Sequence, residues 1–146
     1  MSQLGPGGFL LIALAGAVGA VGRYLLDIHI SAGQHRRAQS GARVFPLGIL
    51  AANTAACFLV GAAATWAGDH GISWASGSLS GVPGLLVIAL VLGIGGGLST
   101  MSTFMVAVVS LWRSGARAMA ATYLGLTFGA GLAACLLGGL LASLLP

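Results

Sequence analysis

Gly93-Ile94-Gly95-Gly96-Gly97-Leu98-Ser99-Thr100-Met101-Ser102-Thr103-Phe104 is the stretch whose reading decides this fold. Its three adjacent glycines weaken a helix, and four hydroxyl residues within five positions supply side-chain oxygens that can cap a new one. The stretch lies inside an apolar segment, Leu85 to Val109, long enough to cross a hydrocarbon core of about 30 Å. Two structures fit. One is a helix broken at mid-membrane: its first half ends in free carbonyls that can hold a cation, and its second half begins with free N–H groups at a positive dipole end. The other is a continuous helix that packs through its glycines, with the hydroxyls bonded back to the preceding turn.

Outward from this segment lie three more apolar windows, Phe9 to Leu26, Leu47 to Trp66 and Met119 to Leu145. The expected fold is therefore an all-α membrane protein of four transmembrane helices, with residues 1–146 forming one domain and the third helix either broken at mid-membrane or continuous through its glycines. The composition agrees. Of 146 residues 58% are hydrophobic and 5% charged, against about 25% charged in an ordinary soluble domain. Six Arg, no Lys, two Asp and no Glu cannot make the mixed charged surface of a soluble protein, and the mean hydropathy is +1.02. The net charge of +4 contains no basic run beyond Arg36-Arg37, which argues against nucleic-acid binding. Cys57 and Cys135 sit in apolar stretches without metal-ligand spacing and read as small buried hydrophobes. No Lys or Arg precedes the first window, so it reads as a mature helix, not a secretory signal.

The connectors orient the spans. Ser31 to Arg43 is polar and reads as an interfacial loop or turn of helix; Gly68 to Gly84 reads as an exposed Gly/Ser-rich connector. Tyr24, Trp66, Trp74 and Trp112 near the span ends suit an interfacial aromatic belt. If four helices alternate across the bilayer, Arg36, Arg37, Arg43, Arg113 and Arg117 share one side and the other side has none. That bias makes the Arg side cytoplasmic and places both termini outside the cell membrane in a single orientation.

Polar groups within the spans are the functional candidates, because each is costly in lipid. They are Arg23, Asn53, Thr54, the cluster Ser99, Thr100, Ser102 and Thr103, and then Thr122, Tyr123 and Thr127. Asp27 falls at a span end and Asp69 in a loop, so no carboxylate is expected at mid-span. A proton-coupled exporter and a channel with an acidic ring are thereby disfavoured. So is an intramembrane hydrolase, because no base is placed to serve Ser99 or Ser102. A pore or carrier lined by neutral donors, with an Arg nearby, suits a small anion. Asn53 can line such a path or act as glue between helices, and Arg23 can serve it or snorkel to the interface. Tyr123, Thr127, Gly131 and Cys135, spaced by four, share a helix face that can line a pore or touch a neighbour.

These pieces in this order resemble the bacterial fluoride channel family known as Fluc or CrcB, and the resemblance covers all four spans. Gly16 to Tyr24 is similar to the family's Gly-x-x-Gly-Ala-x-x-Arg-Tyr signature. Pro46 to Asn53, followed by Cys57-Phe58 and Gly61, resembles its Asn-centred motif, with Ala56 where Gly is usual. The third span resembles Gly-x-x-Gly-Gly-x-Thr-Thr-Phe-Ser-Thr-Phe, and Tyr123 with Thr127 resembles the start of a polar track. The resemblance implies passive fluoride efflux, which keeps cytoplasmic fluoride low, through an antiparallel dimer with two pores. It also implies a structural sodium ion at the dimer interface, held by backbone carbonyls of Gly96 and Ser99 from each subunit. Asn53 would donate to fluoride, Phe104 would present a ring edge, Ser102 and Thr103 would shape the break, and Arg23 would serve the vestibule.

Two departures stand out. Met101 replaces the first ring Phe, and Gly131 stands where a hydroxyl is frequent. An antiparallel homodimer needs one chain inserted both ways, whereas the loop arginines count five against zero. The expected partner is therefore a related subunit of opposite topology, with a homodimer as the alternative. Met101 also raises a second possibility, that this chain is a structural partner of a conducting subunit.

Overall fold

The computed structural model describes residues 5–37, 45–72 and 81–144. They form helices α1 (Pro6–Arg37) and α2 (Leu47–Asp69), a composite third span and a final helix. The third span runs through α3 (Gly81–Ile88), a π-helical stretch (Ala89–Gly95), the single turn α4 (Gly96–Leu98) and α5 (Met101–Arg113). The final helix is α6 (Arg117–Ser143). Four segments are long and apolar enough to cross a membrane: Pro6–Ala32, Leu47–Asp69, Pro83–Arg113 and Arg117–Ser143. Large apolar side chains point outward along them, with Val106, Leu132 and Leu136 each about two-thirds exposed, as a lipid-facing surface requires.

Small residues bring the helices together. A Cβ on Gly61 would run into the Cys135 carbonyl, and one on Gly138 into the Phe58 carbonyl, so α2 and α6 touch backbone to backbone. On the other side of the bundle, α1 meets the third span in the same way. Gly93 packs on Ala15, Gly97 on the Gly16 carbonyl, and Gly19 on the Ile94 carbonyl. Lipid supplies no hydrophobic drive between helices, so close backbone approach and dispersion hold such contacts. Gly115, at a φ of 81°, ends α5: its N–H donates to the Trp112 carbonyl and that of Ala116 to the Leu111 carbonyl, turning the chain into α6.

Three details differ from the sequence reading. Helix α1 continues through the polar residues to Arg37, because Ser31 to Arg37 carries no proline and only one glycine. Asp27 thus lies within a helix and within a candidate span, half-buried against Gly48 at the start of α2. The cysteines are half-buried, not buried. Trp74 and Arg43 lie outside the described residues, as do the side chains of Arg36 and Arg37.

Candidate functional site

The third span is broken, but not at its glycines. Gly95, Gly96 and Gly97 remain helical, and the chain opens at Ser99 (φ −80°, ψ 148°) and Thr100 (φ −149°, ψ 110°), where the span bends by 24°. A partner from another helix holds this opening. The Thr100 N–H donates to Oδ1 of Asn53 on α2 at 2.9 Å. In a continuous helix that N–H would have gone to the Gly96 carbonyl. One turn on, the Thr103 N–H turns to the Thr100 hydroxyl oxygen at 3.4 Å, so Thr100 is the N-cap of α5 and the Ser99 carbonyl also loses its helical donor. The Thr100 hydroxyl further lies 3.3 Å from Ser102 Oγ and 3.1 Å from Thr103 Oγ1. Gly96 and Ser99 are both exposed on the surface of the chain. The two carbonyls singled out in the sequence are therefore unclaimed by the helix hydrogen bonds, and they belong to exposed residues.

Beside the break lies an open hollow of about 410 Å³ between α2, α5 and α6. Asn53, Ser99, Thr100, Met101 and Thr127 border it, together with Cys57, Phe128, Gly131 and Cys135. Because the Thr100 N–H requires an acceptor, the Asn53 amide is fixed with Oδ1 toward the break. Its NH2 group remains as a donor of two hydrogen bonds. Thr127 donates its own proton to the Tyr123 carbonyl at 2.8 Å, so in this rotamer its oxygen only accepts.

Phe104 and Tyr123 stand behind the hollow. Phe104 is 1% exposed and Tyr123 fully buried, their rings 5.4 Å apart, with Phe45 edge-on to Tyr123 at 5.3 Å. Phe128 reaches from the hollow to meet Phe104 edge to face at 5.9 Å. Within this packing the Tyr123 hydroxyl has no hydrogen-bond partner among the described residues.

The sequence candidates thus divide. Asn53, Met101 and Thr127 meet at the hollow with Ser99, while Phe104 and Tyr123 form an aromatic layer next to it. Ser102 and Thr103 surround the cap, and Gly96 lies one turn before the break. Arg23 does not join them. It is half-buried on α1, one turn before Asp27, and is not part of the hollow's wall. Phe128, the bridge to the aromatic layer, and Cys57, which shares the hollow, are not among the sequence candidates; Thr100 and Cys135 are, but without the Asn53 contact and the neighbouring thiol that the structure gives them. The Thr-x-x-Thr spacing was the available signal for the cap, and adjacency to Thr127 that for Phe128.

A profile of the family described as "CrcB-like protein, Camphor Resistance (CrcB)" matches residues 10–139. The chain belongs to the CrcB family. A relative from Renibacterium salmoninarum, named fluoride-specific ion channel FluC, is 37% identical over 136 residues, covering 92% of this chain and 98% of that one. Bifidobacterium longum has two relatives, named FluC 1 and FluC 3. The first is 39% identical over 70% of this chain and 71% of its own length, the second 37% identical over 82% and 85%. The CrcB match spans all four candidate membrane helices, so the broken third span and the Asn53 contact lie inside the region that defines membership.

Proposed function

We propose that this chain is a subunit of a fluoride-selective channel that lets fluoride leave the cytoplasm passively. The observation that carries the reading is the Thr100–Asn53 hydrogen bond: it opens the third span and leaves the Asn53 amide donors facing the hollow. Fluoride is small and strongly hydrated, so its path must replace water with donors. Asn53 offers two N–H groups, Tyr123 a hydroxyl with no partner among the described residues, and the rims of Phe104 and Phe128 carry partial positive charge. An inside-negative potential of 100 mV contributes about 2.3 kcal/mol toward expelling each anion. The names of the relatives support fluoride as the ion.

The carbonyls of Gly96 and Ser99 fit a hard monovalent cation such as sodium, because both lack helical donors and both are exposed. Such an ion supplies a fixed positive charge that offsets part of the cost of holding an anion in a low-dielectric site. Gly96 and Ser99 would hold it jointly with the same groups of an antiparallel second subunit. Arg113 and Arg117 flank the turn between α5 and α6, and with Arg36, Arg37 and Arg43 they favour one orientation with that turn cytoplasmic. We therefore propose a partner of opposite bias, a reading supported by more than one numbered FluC relative in one organism. A second reading, a structural subunit beside a conducting one, is favoured by Met101, whose thioether presents no positive edge to the hollow.

The test is fluoride efflux from loaded liposomes, followed with a fluoride electrode under an ionophore that clamps the potential. The purified chain is reconstituted alone and with an oppositely biased relative. Rapid fluoride efflux with chloride retained, at least in the mixed vesicles, is expected. Efflux no faster than from empty liposomes in both preparations would overturn the proposal.

A further inference from the structure

Two departures from the CrcB pattern, Met101 and Gly131, border the same hollow, which Cys57 and Cys135 also line. With no side chain at position 131, α6 opens directly onto Cys57: a Cβ there would lie 3.2 Å from the Cys57 Sγ. Cys135 follows Gly131 by one turn on the same face, and it lines the hollow as Cys57 does. Both thiols are free and half-buried. Met101, 61% exposed at the start of α5, lines the same hollow and carries its sulfur on three rotatable bonds. Three sulfur side chains from three helices thus share one hollow.

We infer that this hollow binds a soft, thiophilic monovalent cation, of the silver(I) or copper(I) class, through Cys57, Cys135 and Met101. Thiolate and thioether donors select soft cations over the hard or borderline ones that carboxylates and imidazoles take. The charge balance suits membrane depth. A sulfur–metal bond forms at one cysteine as that thiol releases its proton to water, and the thiolate with the monovalent cation is neutral. The second cysteine and Met101 donate lone pairs, and no group changes oxidation state. The site stands independently of the proposed fluoride transport.

Silver nitrate is the probe, in chloride-free medium; silver fluoride is soluble, so fluoride does not interfere. Intact-mass spectrometry of the purified chain should show about one silver ion per chain. That adduct should be lost in Cys57→Ala and in Cys135→Ala, and should weaken in Met101→Leu, with each variant first checked for helicity and a single elution peak. In the unmodified chain one equivalent of silver should protect both cysteines together from maleimide labelling, a readout that needs no variant. Absence of silver uptake by the unmodified chain, or silver retained after both cysteines are replaced, would overturn the inference. Fluoride efflux, measured separately, leaves either result unchanged.

Discussion

Where α2 meets α6, Gly61 and Gly138 bring two unbroken helices into backbone contact; where the third span meets α1, Gly93 and Gly97 do the same, yet the helix opens two residues later. The difference between the two regions is not their glycine. It is that Asn53 reaches across to take the Thr100 N–H and that Thr100 then caps the helix that follows. Glycine permits approach, and a competing hydrogen-bond partner makes the opening. The α2–α6 seam therefore holds the bundle, while the break leaves backbone groups and the Asn53 amide donors outside the helix hydrogen bonds.

The largest effect should come from attacking the seam. Gly138→Val places a branched side chain against the Phe58 carbonyl, and backbone cannot retreat as a flexible side chain can. The expected loss is about 3 kcal/mol or the fold itself, read as denaturation in detergent. Asn53→Ala attacks the break instead. It leaves the Thr100 N–H without its acceptor and should cost about 1 to 2 kcal/mol while the α2–α6 contact survives, visible as faster exchange of the Thr100 amide. Thr100→Val removes the cap together with the hydroxyl contacts to Ser102 and Thr103, keeps the Thr100 N–H on Asn53, and should cost about 1 kcal/mol by the same denaturation measurement.

Tyr123→Phe sharpens the comparison differently. The hydroxyl has no partner among the described residues, so its removal should leave stability unchanged or slightly raised, while fluoride efflux falls if that hydroxyl meets the ion. The smallest effect belongs to a glycine outside both regions. A methyl group added at Gly129 would meet nothing within 4 Å, so Gly129→Ala should change stability by no more than about 1 kcal/mol, and in the favourable direction.

Much of this was legible in the sequence. Four long apolar windows gave four spans, and the run from Gly93 to Phe104 admitted a break because it combined weak helix formers with caps. Its location was less legible: the glycines drew attention to themselves, whereas Ser99 and Thr100 open because of Asn53, 47 residues away in the chain. No local pattern encodes that distance. The length of α1 was missed for a related reason, since hydropathy falls at Ser31 although nothing there stops a helix. Apolar neighbours in sequence make both cysteines read as core residues; the spacing by four along α6 already offers Cys135 a place on a lining face, whereas the place of Cys57 emerges only from the packing of α6 on α2. Asp27 was placed at a span end by the same underestimate of α1.

The most direct measurement of the central claim, that the Asn53-held break carries the ion chemistry, is fluoride efflux with and without Asn53→Ala in the reconstituted channel, normalised to folded protein. The expected result is efflux reduced to the leak of empty liposomes, with the helical content of the variant retained. Efflux equal to that of the unmodified channel would contradict the claim.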